Sequence, residues 1–193
     1  ADRTVALHDF DLRYIAPYRD VLKVRASELG LDEAWVYGLI RQESRFISNA
    51  KSGAGASGLM QLMPNTARWV AKKLGLKDWR WSQVNEVDTN VTFGTFYLRH
   101  VLDALDNQPV LASAGYNAGP GRARAWRPGT PIEGAVYAET IPFNETRDYV
   151  KKVMANATYY AHVFSQQLQS LKQRLGVIAP RARDGETPLG DTP

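Results

Sequence analysis

The stretch "DEAWVYGLIRQESRF", residues 32–46, reads as a helix with one residue out of place. Asp32 is of a type that opens helices by accepting a free backbone N–H. Beyond it, Val36, Leu39, Ile40, Glu43 and Ile47 fall at helical spacing on one stripe. The stripe is apolar except at Glu43. A carboxylate there is costly unless it is paired, neutralised or used. If it is used, lost solvation raises its pKa, and a carboxyl group that stays protonated near neutral pH can donate a proton to a leaving oxygen. If it is not, Glu43 pairs with Arg41, Arg45 or another arginine, or the stripe turns outward where the helix ends. Spacing alone leaves these readings open.

Working outward, helical signals dominate the chain. "YRDVLKVRASELG" (18–30) closes on Gly30, Pro64 opens "PNTARWVAKKLG" with Gly75 behind it, and Asp88 is a candidate cap for "TNVTFGTFYLRHVLDAL". Asn144 is a candidate cap for one long last helix, residues 145–175, that stops at Gly176. No segment alternates with period two over strand length, and no internal repeat is present. The fold class expected is all-α, one globular domain with little or no β-structure. Residues 1–16 read as a linker or the end of a preceding unit, 17–176 as the domain, and 177–193, rich in Pro, Gly and charge, as a mobile tail.

Two glycine-rich clusters interrupt the helices. "SNAKSGAGASG" (48–58) runs into "GLMQLMP", where Ser52 and the backbone at Gly53, Gly55 and Gly58 offer donors with little bulk to a polar, chain-like ligand. Gln61 adds an amide and Met60 an adaptable apolar wall; alternatively this is a plain connection with Met60 and Met63 in the core. In "GYNAGPGR" (115–122), Tyr116 and Asn117 end an apolar helix, where they either face a cleft and orient a sugar hydroxyl or N-acetyl group, or serve the fold. In the second case the Tyr116 hydroxyl sits on a backbone carbonyl and Asn117 caps the helix. "IPFNETRDYV" (141–150) places Glu145 at the start of the last helix, where the helix dipole would favour it in any case. The 5 Trp, 9 Tyr and 6 Phe include enough rings for some to stack on sugars, although most belong in a core.

Composition removes several function classes. With 193 residues, 44% of them hydrophobic, a sizeable core is available, and with no cysteine neither disulfides nor thiolate metal sites are. His8, His100 and His162 form no metal-ligand spacing, so no metal or other cofactor is expected. A net charge of +4 is modest and dispersed, and no concentrated basic face accompanies the aromatics, which argues against nucleic acid. No apolar run approaches the ~18 residues of a membrane helix, so stable membrane insertion is not expected. The first residue is Ala1 and not Met, as expected of a processed protein or an excised fragment, with any export signal already gone.

"RQESRF", "GASGLMQLMP" with Gln61 18 residues after Glu43, "YNAGPGR" and "IPFNETRDYV", in this order, resemble the catalytic domain of the soluble lytic transglycosylases of bacterial peptidoglycan. The resemblance spans roughly residues 17–165 and decides the reading of Glu43. It implies a goose-lysozyme-like α-helical domain with a cleft, acting in the periplasm on peptidoglycan glycan strands. The reaction implied is non-hydrolytic cleavage of the β-1,4 bond between N-acetylmuramic acid and N-acetylglucosamine, giving 1,6-anhydromuramyl products. Glu43 would be the single catalytic acid and base, helped by the 2-acetamido group. Ser52, Gly58, Met60, Gln61, Tyr116, Asn117 and Glu145 would line the cleft. A two-carboxylate glycosidase needs a second acid, and none stands out by setting. Gly115 departs from the alanine common before the tyrosine. The resemblance also implies a superhelical domain ahead of residue 17. The alternatives are a hydrolytic lysozyme and a glycan-binding module without catalysis.

Overall fold

The structure, a computed structural model, describes residues 10–167, 169–180 and 192. Among them the chain is built from helices: α1 (Phe10–Arg13), α2 (Arg19–Glu28), α3 (Glu33–Glu43), α4 (Pro64–Lys73), a 3-10 turn (Trp81–Asn85), α5 (Val87–Ala104), α6 (Pro109–Ala118), α7 (Pro120–Ala125), α8 (Gly134–Thr140), α9 (Asn144–Val163) and α10 (Leu171–Leu175). The only sheet among the described residues is one antiparallel pair, β1 (Ile132–Glu133) with β2 (Val177–Ile178). The all-α expectation holds.

α3 is the centre of the molecule. Asp32 caps it by accepting the Ala34 N–H at 2.9 Å, and every residue from Ala34 to Ile40 is buried. α9 packs along it more extensively than any other pair of elements meets. Gly38 makes this approach feasible, because a Cβ there would stand 2.7 Å from the Val153 carbonyl oxygen and 2.8 Å from the Ala157 nitrogen. α6 is tied to α3 through the Trp35 indole N–H, which donates to Ser113 Oγ at 3.0 Å. Tyr37, Phe46, Tyr160 and Phe164 form an aromatic cluster at one end of this core.

Several expectations are corrected. Ile47 is 55% exposed and lies beyond the end of α3, so the apolar stripe does not continue through it. Met63 is not in the core; it is 41% exposed at the position before Pro64. α5 begins at Val87, which leaves Asp88 in its first turn and not at its cap. Asn144 likewise is the first residue of α9 and caps nothing. The single long helix expected over 145–175 is two, because Ser165 takes φ 53 and Phe164 folds onto Tyr37 and Tyr160. Between Phe164 and Leu171 the sequence offers a single apolar residue, too little to hold a helical stripe to the core.

The ends of the domain also shift. Ile178, expected in the tail, is fully buried and paired with Ile132, and the Gly134 N–H donates to the Gly176 carbonyl at 2.7 Å. Gly134 lies so close to Leu175 that a Cβ would meet its carbonyl oxygen at 2.2 Å. At the other end, Tyr14 stacks on Tyr159 at 4.9 Å, and the Ile15 carbonyl accepts the Tyr160 hydroxyl at 2.8 Å, so this part of the expected linker is packed. The rest of the linker and tail, His8 included, lies outside the described residues.

Candidate active site

Glu43 is the last residue of α3, and the tight turn at 44–46 aims it toward α9. Ser44 Oγ accepts the Phe46 N–H at 3.1 Å, while Arg45 and Phe46 take left-handed φ values of 52 and 67. Two adjacent non-glycine residues in that region are strained. The turn swings Phe46 back into the core and ends the helix with the Glu43 carboxyl group against Tyr149 of α9. The Tyr149 hydroxyl donates to Glu43 Oε1 at 2.5 Å.

Burial dominates the electrostatics of this carboxyl group. Loss of solvation pushes the Glu43 pKa up to about 7, the Tyr149 hydrogen bond opposes that, and the charge of Glu145 adds to it. No cation pairs with Glu43 among the described residues. Arg41, one expected partner, lies over the Tyr14 ring at 4.6 Å. The same burial, reinforced by the nearby Glu43 charge, holds the Tyr149 and Tyr116 hydroxyls well above the usual phenol range, so both remain neutral donors. The buried stripe of Val36, Leu39 and Ile40 leads up to Glu43, and the tyrosines of the neighbouring helices close the site where the helix ends and Ile47 turns out to solvent.

The expected cleft residues fall into two groups. Glu145 acts electrostatically on Glu43 and shares with Asn117 a cavity of about 450 Å³, to which Arg122, Phe143, Asn144 and Thr146 also contribute. Asn117 does not cap its helix; its Oδ1 accepts the Thr146 hydroxyl at 2.7 Å, which leaves its amide N–H groups available. Glu145, which does not stand out in the sequence as a second acid, is thus a second carboxylate whose charge reaches Glu43.

The other group is engaged in the fold's own hydrogen bonds and packing. The Tyr116 hydroxyl donates to the Met60 carbonyl at 2.8 Å, the fold-holding alternative for that tyrosine. Met60 is fully buried, its sulfur seated where a Cβ on Gly94 would collide at 2.3 Å. Gln61, at φ 47, spends its amide nitrogen on the carbonyls of Gly58 and Ala50 at 2.8 and 3.1 Å. Gly58 faces Asn90, where a Cβ would lie 2.0 Å from Nδ2. Ser52 Oγ accepts the Ala56 N–H at 2.9 Å inside its own exposed loop. Gly115 is crowded by Val101 and Leu105, each 2.9 Å from where a Cβ would be, which accounts locally for glycine instead of alanine.

Sequence reasoning passes over two residues of the site. Tyr149 lies within "IPFNETRDYV", and the helical spacing from Glu145 and Thr146 puts it one turn further along the same face, a usable signal. Asn90, fully buried, bonds Met60, Ser57 and Val84, and nothing in "TNVTFG" announces that long-range role. Among the described residues no group of three or more His, Asp or Glu could hold a metal ion, and no helix is long and apolar enough to cross a membrane.

The family described as Transglycosylase SLT domain matches residues 20–134, and the soluble lytic transglycosylase helical domain matches residues 140–168. The soluble lytic murein transglycosylase of Salmonella typhimurium is 39% identical over 158 residues, 80% of this chain and 24% of that protein. That of Escherichia coli is 38% identical over 153 residues, covering 78% and 24%. An inactive glutamate-to-glutamine mutant of lytic transglycosylase Slt from Pseudomonas aeruginosa superposes with a TM-score of 0.80 at 39% identity, over 88% of this chain and 28% of that one. The 70 kDa soluble lytic transglycosylase of Escherichia coli gives a TM-score of 0.78 at 34% identity, covering 89% and 27%. The chain thus spans about a quarter of the length of the curated relatives it matches. With a family match through the central helix, the Glu43 turn and the Tyr116 segment, and a shared lysozyme-like α-helical fold, the chain belongs to the Transglycosylase SLT domain family.

Proposed function

We propose that this chain is the catalytic part of a lytic transglycosylase that cleaves the β-1,4 bond between N-acetylmuramic acid and N-acetylglucosamine in periplasmic peptidoglycan. The observation that carries the reading is Glu43, a carboxyl group without a cation among the described residues, desolvated at a helix end, with a pKa near 7. At neutral pH such a group is protonated in a large fraction of molecules, and once it has given up that proton its carboxylate can act as the base. As acid it protonates the glycosidic oxygen. As carboxylate it then takes the proton from the muramyl C6 hydroxyl while that oxygen attacks C1, which closes the 1,6-anhydro ring and consumes no water. Tyr149 holds Oε1 and leaves Oε2 for the substrate. Asn117 and Glu145 would position the sugar, and Met60, Gln61, Gly58 and Ser52 would shape the floor beneath it. The names of the relatives support the substrate class, and the inactivity of the Pseudomonas aeruginosa glutamate-to-glutamine mutant supports a glutamate in the central role.

Residues 17–176, extended through Ile178, would form the catalytic unit, with a superhelical domain ahead of it in the full-length protein. A second reading, hydrolysis by two carboxylates, rests on Glu145, whose charge Glu43 feels. Mass spectrometry of digested peptidoglycan separates the two, since the anhydro product is lighter than the hydrolytic one by one water. Glu43→Gln should keep the fold and lose turnover; turnover that survives in Glu43→Gln removes Glu43 from the role.

A further inference from the structure

The loop "LKDWRWSQVNEV", residues 76–87, carries two tryptophans that the chemistry at Glu43 does not use. The Trp79 ring packs on Phe93 of α5 at 5.2 Å between centroids and meets Trp81 edge-on at 6.3 Å. Its indole N–H is shielded and has no hydrogen-bond partner among the described residues. Trp79 and Phe93 border a cavity of about 600 Å³, larger than the one shared by Asn117 and Glu145 and within the range of ligand pockets.

Lys77, Asp78, Gln83 and Asp88 also line this cavity. Neither aspartate is engaged in an ion pair or a side-chain hydrogen bond among the described residues. Gln83 Oε1 accepts the Arg80 N–H at 2.9 Å, which fixes the amide and leaves its N–H groups free to donate. The loop is anchored to Asn90 and Ser57, residues that pack against Met60 and Gly58. The Val84 carbonyl accepts from Asn90 at 2.7 Å, and Asn85 Oδ1 accepts the Ser57 hydroxyl at 2.8 Å.

This is the chemistry of a neutral sugar site. An aromatic wall takes the apolar C–H face of a pyranose, carboxylates accept its hydroxyls, and an amide donor meets its oxygens. Asp78 and Asp88 disfavour an anion, and Lys77 beside them disfavours a simple cation. We propose that the Trp79 pocket is an accessory saccharide site that binds N-acetylhexosamine units of the glycan strand apart from the cleft at Glu43. The identity of the polymer rests on the peptidoglycan reading of the Glu43 site. The pocket would hold a long strand while its scissile bond is worked on elsewhere.

The test uses the Glu43→Gln protein titrated with a neutral N-acetylglucosamine oligomer. The Trp79 indole N–H, assigned with Trp79→Phe, and the Asn117 side-chain amide, which lines the separate cavity beside Glu145, report the pocket and the cleft by NMR. A saturable shift of the Trp79 signal is expected, weakened at least tenfold in affinity by Asp78→Asn with Asp88→Asn, while the Asn117 amide responds as before. In the active protein the same double variant should lose at least fivefold turnover on intact sacculi and none on a short soluble glycan. If the Asn117 amide shifts and Trp79 does not, the accessory site is overturned and the glycan reading stands. If neither shifts, both fall. A Trp79 response to a lysine-rich peptide but not to the saccharide would make the pocket a peptide site and overturn the proposal.

Discussion

Tyr149 and Glu43, 106 residues apart in sequence, meet through a 2.5 Å hydrogen bond in which the phenol donates to the carboxyl oxygen. The bond favours the ionised form of Glu43, while burial, the larger effect, disfavours it. The position of this carboxyl group near pH 7 is therefore a balance between a helix end that excludes water and one tyrosine that partly replaces it.

Tyr149→Phe shifts that balance in a known direction. Without the donor the Glu43 pKa rises above about 7, so the protonated form needed for the first step persists to higher pH. The alkaline limb of the kcat profile should move to higher pH in the variant. The carboxylate formed during the reaction also loses a charge-assisted bond of about 1.5–3 kcal/mol, so kcat at the optimum should fall roughly tenfold or more. A pH–rate profile on soluble glycan checks both. A limb that stays in place, or moves to lower pH, would contradict the stated role of Tyr149.

Glu43 also weighs on stability. Its folded pKa, about 7, lies above its ordinary value of 4.5. Below 4.5 the group is protonated whether folded or unfolded and costs nothing. Between 4.5 and 7 the unfolded chain ionises it first, and stability is lost as pH rises, levelling off above 7. The full effect is on the order of 3 kcal/mol. Glu43→Gln, which cannot ionise, should raise the thermal midpoint at pH 8 and leave it nearly unchanged at pH 4. Thermal unfolding at the two pH values measures the difference, and a variant less stable than the parent at pH 8 would refute a destabilising buried carboxylate.

The pattern of local signals made the fold class legible. Asp32, Pro64, Gly30 and the absence of period-two alternation act within a few residues, and the structure repeats each of them. Glu43 was legible for a reason only partly right: Val36, Leu39 and Ile40 do form a buried stripe that runs into it, but Glu43 itself is half-buried at the end of α3 against tyrosines, and Ile47 beyond it is exposed. What sequence spacing could not supply were bonds across the chain. Tyr116 to Met60, Asn117 to Thr146 and Asn90 to Ser57 join residues 56, 29 and 33 positions apart, and no helical or strand period encodes such pairs. The breaks at Ser165 and after Glu43 escaped for a related reason. Both need a non-glycine residue at positive φ, which tertiary packing enforces and local propensity opposes.

Gly38 offers a test of how closely the site depends on the approach of α3 to α9. In Gly38→Ala the added methyl group would fall 2.7 Å from the Val153 carbonyl and 2.8 Å from the Ala157 nitrogen, both backbone atoms that cannot rotate away. The helices must separate, at a cost of about 1–3 kcal/mol. Because Glu43 rides on one helix and Tyr149 on the other, the same separation should stretch their hydrogen bond. Gly38→Ala should therefore lower the denaturation midpoint and also move the alkaline limb of the pH–rate profile upward, as Tyr149→Phe does. A loss of stability with an unmoved limb would mean that the site is insulated from the packing of these helices.

Asn90 tests the packing that holds Met60 beneath Tyr116. It is fully buried, accepts the Met60 N–H at 2.7 Å, and donates to the carbonyls of Val84 and Ser57 at 2.7 and 3.1 Å. Asn90→Ala strands three backbone groups at once and should cost about 2–4 kcal/mol, read by urea denaturation, with kcat falling because the Met60 carbonyl no longer anchors Tyr116 firmly. Asn90→Asp is the more discriminating variant. It keeps the shape and the acceptor toward Met60 but replaces the donor with a second oxygen facing two carbonyls. When protonated, that oxygen can still donate to one of them; when ionised, it repels both. The folded pKa of the new carboxyl group must then lie above its unfolded value of about 3.9, so the variant should be least destabilised near pH 4 and lose stability as pH rises through neutrality. Equal destabilisation of Asn90→Asp at pH 4 and pH 8 would show that the two carbonyls are not what Asn90 holds.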